Sequence, residues 1–311
     1  AVKLVNNGTV NVKGNSSFDV KTIEGNAIVL NNATLANAYI GGAVNAFGTN
    51  NISGTSTITG FFSVGYNEGN YETPVTLNIT GDFNGANVAV GNDDDQSINH
   101  VLNVGVDDVR TKAYFGQLIA NTEVNIKNAD VTRGYTLVRG NFSVTDSEIT
   151  LTQTAYNTYL CRNAEVVIDN STFALGAYAN IGSLSNSMDY PNDFGNTKVI
   201  LKNGSSMTAT NLSIDQADER SVKVTIEDSS RIEATNLTNQ GSIVLAGVDA
   251  KVTSNEFDKA PTTTVPYKKV GYVDGSYVVI DKDYVAQIID AEGNSSLDRR
   301  YESFAEAVEA A

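Results

Sequence analysis

The chain has 311 residues, and its 36 acidic side chains outnumber its 21 basic ones, so the formal net charge is -15. A surface this acidic repels nucleic-acid phosphates and anionic lipid headgroups, and no apolar stretch is long enough to insert in a membrane, so we expect neither nucleic acid nor membrane as a partner. The chain has one His, one Cys and no Trp, which excludes an internal disulfide and leaves zinc centres without ligands.

Residues 1–255 consist of a repeated unit. The stretch 198–212 recurs 25 residues later as 223–237, and 123–128 has a looser copy at 165–170. Each unit opens with alternating apolar residues, the period of a strand with one buried face, and continues with an Asn, Asp or Gly that can form a sharp corner. Units of roughly 19–33 residues are too short for a strand–helix crossover. We therefore predict an all-β fold, a right-handed parallel β-helix (solenoid) of about ten coils.

Aromatic residues recur within this repeat at intervals of 19–26 residues, with Val88 filling the position between Phe62 and Tyr114. Because equivalent positions of successive coils lie above one another, we expect the rings to form a ladder. An internal or edge stack would stabilise the fold, whereas an exposed stack would offer a platform for sugar rings, and the alternation alone leaves both interpretations open. The predicted ligand-binding residues are Tyr39, Phe62, Tyr114, Tyr135, Tyr159 and Tyr178.

Acidic clusters are the other features that could carry chemistry. Paired carboxylates can act as general acid and base on a glycosidic bond, but the motifs that surround such pairs in β-helical polysaccharide enzymes are absent. We therefore predict no catalytic residue and no cofactor, with calcium as the remaining option for oxygen ligands at short spacing. The calcium candidates are Asp93, Asp94, Asp95, Asp189 and Asp193.

The single His and the single Cys lack a catalytic context. His100 precedes a strand, where a lone His is most often a surface or hydrogen-bonding residue. Cys161 continues a strand and is interpreted as a small buried hydrophobic residue.

Composition changes near residue 256, where the Asn-rich part of the chain ends and two prolines flank a Thr run. We place a linker at 256–266. In 267–311, an Asp-Gly turn between β-rich arms predicts a hairpin, and a further strand is expected at 285–289. Ser303 and Glu306 then form a capping box, which predicts a terminal helix.

The pattern of residues 285–311, a short strand followed by YESFAEAVEAA, resembles the module junction of large repetitive surface proteins of gut bacteria. In those proteins a short helix of this type caps the start of the next β-helix, and Phe304 stands where Leu is usual. The resemblance implies pectate-lyase-like β-helix modules in a secreted, wall-attached, adhesin-like protein that is longer than this chain. It implies no defined ligand.

We therefore expect a non-enzymatic module on the outside of a bacterial cell, whose rigid face binds host or dietary glycans or a protein receptor. The insertions with most surface character are 66–74, 91–99 and 183–196. A β-helical polysaccharide lyase or glycoside hydrolase is the alternative, and a pure structural spacer is the third interpretation. An outward-facing aromatic ladder would favour glycan binding, and carboxylates on neighbouring coils of one cleft would favour an enzyme.

Overall fold

The computed structural model describes residues 3–13, 17–19, 22–66, 73–92, 96–153, 155–183, 196–215, 221–294 and 296–311, with side chains from residue 28 onward. Within these residues the chain is all-β, apart from one short helix, α1 (Phe304–Ala310), and a 3₁₀ turn at Leu297–Arg299. No helix in them has the length and apolar character that crossing a bilayer requires. The expectation of an all-β chain is confirmed.

The strands of the first half are short and follow one another closely. They are β1 (Lys3–Lys13), β2 (Ser17–Asp19), β3 (Thr22–Asn31), β4 (Thr34–Ala36), β5 (Tyr39–Gly41), β6 (Val44–Phe47), β7 (Thr49–Ser53), β8 (Ser56–Val64), β9 (Thr76–Ile79), β10 (Phe83–Val90), β11 (Val101–Val104), β12 (Thr111–Ala120), β13 (Glu123–Lys127), β14 (Ala129–Val138) and β15 (Asn141–Thr145).

The second half continues in the same way. Its strands are β16 (Glu148–Leu151), β17 (Asn157–Leu160), β18 (Glu165–Asp169), β19 (Thr172–Ile181), β20 (Thr197–Lys202), β21 (Ser206–Ile214), β22 (Val222–Ile226), β23 (Arg231–Asn239), β24 (Ser242–Leu245), β25 (Lys251–Thr253), β26 (Thr262–Thr263), β27 (Lys268–Val273), β28 (Ser276–Asp281), β29 (Ala286–Gln287) and β30 (Arg300–Tyr301).

The chain passes alternately between two large sheets. Sheet A has 16 strands in the order β1-β3-β5-β8-β10-β12-β14-β16-β19-β21-β23-β25-β28-β27, with β6 and β17 beside the interrupted strands β5 and β16. Sheet B has 12 strands in the order β2-β4-β7-β9-β11-β13-β15-β18-β20-β22-β24-β26. All neighbours in sheet B, and those in sheet A as far as β25, are parallel. The predicted parallel pairing is confirmed for the described residues.

Alternation within each strand builds a continuous apolar core. In β13, Val124 and Ile126 are buried, while Asn125 between them lies on the outer face. Val124 pairs in register with Leu102 and Phe142 on the neighbouring strands, so buried side chains stack at a spacing of about 4.8 Å. Each fully buried aliphatic or aromatic side chain contributes about 1.5–3 kcal/mol.

The long strands of sheet A change phase near their middle. In β12, Ala113 and Phe115 are buried, then Gly116 and Gln117 both lie outside, and Leu118 is buried again. A Cβ on Gly116 would lie 2.2 Å from the carbonyl oxygen of Ala86 on the preceding strand. Glycine therefore permits a close backbone approach at this bend, and the inward positions shift by one residue beyond it.

Corners that lead from sheet B into sheet A use residues that tolerate a left-handed backbone. Their φ angles lie between 46° and 55°. This confirms the sequence interpretation that Asn and Asp turn the chain. The residues are Asn128, Asp146, Asn170, Asn203 and Asp228.

Buried serines link the same corners to one another. The backbone N–H groups of Ala129, Ser147, Ser171 and Ser205 donate to the Oγ atoms of Ser147, Ser171, Ser205 and Ser230, at 3.0, 2.9, 3.2 and 3.1 Å. Each buried donor at a corner thus finds its acceptor on the next corner, where an unpaired group would be costly.

The C-terminal segment ends sheet A with antiparallel strands. β27 and β28 form the predicted hairpin around Asp274 and Gly275, and β28 pairs antiparallel with β25. Helix α1 begins after Ser303, whose side chain accepts from the N–H of Glu306 at 3.2 Å, as the capping box predicts. Strand β26 lies inside the stretch expected as a linker and pairs with β24, whereas the division at 256–266 stays a prediction.

Candidate functional site

Phe62 lies in the core, although it was among the predicted ligand-binding residues. It is fully buried and pairs in register with Val44 and Val88. A side chain without exposed surface offers nothing to a ligand, so Phe62 is a packing residue.

Tyr39 and Tyr114 lie on the outer face of sheet A and are 42% and 37% exposed. Thr57 and Asn84 stand between them in the same column of the sheet, so their rings are three strands apart and do not stack. The expectation of one ladder of six rings is therefore wrong. Because the phase changes at the bend in sheet A, residues of similar spacing fall into different columns.

The remaining predicted aromatics lie close together on the outer face of β14, β17 and β19. The rings of Tyr135 and Tyr159 are in contact, with centroids 5.7 Å apart and planes tilted by 51°. Asn157 pairs in register with Tyr178 on β19. The next residue, Thr158, pairs with Thr136 on β14, which places Asn157 beside Tyr135. Tyr178 is 60% exposed, which makes it the most exposed tyrosine in the described part of sheet A.

Tyr156, which the sequence interpretation missed, completes this group. It is 37% exposed, and a Cβ on Gly134 would lie 3.6 Å from its ring atom Cε2, so the ring lies beside β14. We name Tyr135, Tyr156, Tyr159 and Tyr178 the tyrosine patch. A difference in spacing could have identified Tyr156. Two residues separate Arg133 from Thr136, whereas six separate their partners Leu151 and Thr158, so the extra residues, which include Tyr156, have no counterpart in β14.

Amide groups lie beside the tyrosine patch. Asn157 donates from Nδ2 to the hydroxyl oxygen of Tyr159 at 3.0 Å, and Asn211 donates to the carbonyl oxygen of Ala177 at 3.0 Å. Exposed rings beside oriented polar groups are what a ring ligand with hydroxyl groups requires, since the rings cover its apolar face and the polar groups set its orientation.

The outer face of sheet B carries a different structure, which we name the amide ladder (Asn51, Asn78, Asn103 and Asn125). Each Nδ2 donates to the Oδ1 of the preceding member, at 2.9, 2.8 and 3.0 Å. Asn125 also donates to Glu123 at 2.8 Å. Side chains that already satisfy one another are poorly placed to bind a ligand, so we interpret the amide ladder as a structural feature.

Glu123 adjoins the amide ladder, and its pKa is perturbed by groups on this face. Hydrogen bonds from Asn125 and Asn99 favour the charged form and lower the pKa of Glu123, and partial burial opposes them.

An open pocket of about 430 Å³ lies where β15 turns into β16. Its lining includes Arg110, Asp146, Glu148 and Asn170. Arg110 donates to the carbonyl oxygen of Asp146 at 2.9 Å, and Asn170 donates to its carboxylate at 2.7 Å. The pocket has the size of a small-ligand site, but lacks aromatic side chains.

The calcium candidates Asp93, Asp94, Asp95, Asp189 and Asp193 lie outside the described residues. In the part of the chain that the structure describes, no group of three or more His, Cys, Asp or Glu side chains is placed to hold a metal ion.

His100 and Cys161 both lie in the core. His100 is buried, and its Nδ1 accepts from the N–H of Val75 at 3.1 Å, so its hydrogen-bonding role is confirmed and a surface position is wrong. Cys161 is fully buried and forms no disulfide, as expected of a small hydrophobic residue.

Comparison with other proteins identifies no relative. No family model, no curated protein and no solved structure matches this chain. The class of protein is therefore the one that the fold and surfaces define: an all-β chain of two parallel sheets with a tyrosine patch on one outer face.

Proposed function

We propose that the two parallel sheets are faces of one right-handed parallel β-helix. This proposal is supported by the passage of the chain back and forth between sheets A and B, by the parallel pairing of neighbours in each, and by the apolar core that residues of both sheets share. Right-handed winding is the strong preference of parallel crossover connections.

We propose further that this β-helix is a non-enzymatic, adhesin-like module on the outside of a bacterial cell and that it binds neutral glycans. The observation that carries the proposal is the tyrosine patch, in which Tyr135, Tyr159 and Tyr178 lie on three neighbouring strands and Tyr156 lies just before one of them. A rigid sheet holds these rings in place before binding, so little conformational entropy is lost.

The charge of the protein narrows the ligand class. At a net charge of -15, the module repels sialylated, sulfated and uronic-acid polymers, so neutral hexose chains fit better than acidic ones. A protein receptor is the other partner that a flat tyrosine-rich surface suits, because tyrosine is enriched where interfaces are strongest.

The test is a glycan array with the purified chain, run with calcium and with EDTA, followed by titration of the glycan class that binds. We expect binding to neutral glycans that is unchanged by EDTA. Tyr159→Ala and Tyr178→Ala should each weaken it about tenfold or more. Tyr159→Phe should retain most of it, because the ring is kept. Tyr39→Ala, an exposed tyrosine away from the patch, is the matched control and should bind as the wild type does.

The other interpretations predict different results. A glycoside hydrolase or lyase would release reducing ends or unsaturated products from soluble polysaccharides, and Glu148→Gln in the corner pocket should abolish that activity. A spacer would bind nothing in any arm. Binding that disappears in EDTA would indicate a calcium-dependent site in the acidic loops and would contradict the proposal that the tyrosine patch binds the glycan.

A further inference from the structure

Arg133 is a charged side chain inside the apolar core. It is fully buried and pairs in register with Phe115 and Leu151 on the neighbouring strands. Its guanidinium carbon lies 4.9 Å from the ring centroid of Phe173. No carboxylate of the described residues offsets its charge, and burial lowers the pKa of Arg133 to about 9. A buried cation without a counter-ion is destabilising unless hydrogen bonds replace the lost water.

Those hydrogen bonds join three strands. Nη1 donates to the hydroxyl oxygen of Thr136 in β14 at 2.8 Å. Nη2 donates to the hydroxyl oxygen of Thr158 in β17 at 2.9 Å and to the carbonyl oxygen of Ala174 in β19 at 2.6 Å. One side chain thus connects the strands on both sides of an interruption in sheet A.

The interruption lies between the end of β16 at Leu151 and the start of β17 at Asn157. Opposite it, the pairing of β16 and β17 with β19 skips the carbonyl groups of Ala174 and Leu175. Arg133 satisfies the first of these, and the hydroxyl of Thr158, itself an acceptor from Arg133, donates to the second at 2.6 Å. Arg133 and Thr158 together therefore supply the donors that a continuous strand would have supplied.

Two glycines make room for Tyr156. A Cβ on Gly176, whose φ is +104°, would lie 2.1 Å from the carbonyl oxygen of Tyr156, and one on Gly134 would touch the ring of Tyr156. Both positions thus leave room for Tyr156, which remains partly exposed.

We propose that Arg133 is a positioning residue of the tyrosine patch. It holds β14 and β19 together across the interruption between β16 and β17, so that Tyr156 can lie at the surface beside β14. The inference rests on the proposed function, in which the patch binds the ligand. It explains why a cation occupies a position where the neighbouring strands have Phe115 and Leu151.

The test compares Arg133→Met in two backgrounds, the wild type and a chain from which residues 153–156 are deleted. The deletion leaves two residues between Leu151 and Thr158, the spacing found in β14. In the wild-type background, we expect Arg133→Met to raise amide exchange in 150–158 and 172–178 by about tenfold or more, since buried carbonyls lose their donors. In the shortened background, the same substitution should have little effect, because a continuous strand satisfies those carbonyls.

Phe115→Leu is the matched control, since it alters the same column on an uninterrupted strand and should act equally in both backgrounds. Equal effects of Arg133→Met in both backgrounds would overturn the proposal. If the shortened chain does not fold, the exchange pattern of Arg133→Met alone decides. Loss of protection confined to the two stretches supports the proposal, and uniform loss overturns it.

Binding to immobilised galactomannan and xyloglucan, which are neutral glycans, separates this inference from the proposed function. If the wild type binds, Arg133→Met should weaken binding about tenfold at a temperature where it remains folded, and unchanged binding would overturn the positioning role. If the wild type binds neither probe, the glycan proposal fails. The exchange experiment still tests whether Arg133 connects β14 and β19.

Discussion

The outer faces of sheets A and B differ in regularity. The described pairs of sheet B keep one register from β2 to β26, whereas sheet A contains the register shifts and both interrupted strands. The regular face carries the amide ladder, and the irregular face carries the tyrosine patch. In a stack of parallel strands, a regular register lets identical polar side chains hydrogen-bond to one another. Where a strand is interrupted, side chains lack these partners and lie exposed to solvent. We therefore expect binding surfaces where the repeat is broken.

The largest expected difference is between a ring of the core and a ring of the patch. Phe142 in sheet B is buried and stacks on Phe173, with centroids 5.8 Å apart, so Phe142→Ala should lower the free energy of unfolding by about 3–5 kcal/mol. Tyr178 is 60% exposed, so Tyr178→Ala should change it by no more than about 0.5 kcal/mol. Urea unfolding followed by circular dichroism measures both. Comparable losses would contradict the division into a structural core and a presented surface.

A smaller difference is expected between the amides of the two faces. Asn78 makes two ladder hydrogen bonds, to Asn51 and from Asn103, whereas Asn236 in sheet A makes one, to Asn211, at 2.8 Å. Each hydrogen bond contributes about 1 kcal/mol to the free energy of unfolding. Asn78→Ala should therefore lower that free energy roughly twice as much as Asn236→Ala in the same urea experiment. Equal costs would show that the ladder contributes no more than isolated pairs.

The smallest expected effect concerns pH. Because hydrogen bonds from Asn125 and Asn99 lower the pKa of Glu123 in the folded state, its carboxylate stabilises the fold above the ordinary glutamate pKa, and this contribution disappears as the pH falls through the lowered value. Between about pH 5 and pH 3, the wild type should therefore lose more stability than Glu123→Gln. The urea midpoints of both chains across this range provide the measurement, and parallel curves would contradict it.

Several features of the fold could be predicted because they depend on short stretches of sequence. Alternation predicted the strands, Asn and Asp predicted the corners now seen at Asn128 and Asp228, and the Asp-Gly pair predicted the β27–β28 hairpin. The aromatic ladder was wrong because the bend at positions such as Gly116 shifts the inward phase. Alternation through Ala129 and Val131 placed Arg133 on the inner face, and this signal could have identified it as a buried cation.

The sequence by itself determined that the chain is all-β, repetitive and acidic, because the period of two, the corner residues and the charge are properties of neighbouring residues. Only the tertiary structure decided which aromatics meet at the surface, since that depends on register between strands about 20 residues apart in the chain. It also decided that Arg133 bridges a gap in sheet A. The gap exists only when three successive strands are aligned, and no single repeat contains all of its partners.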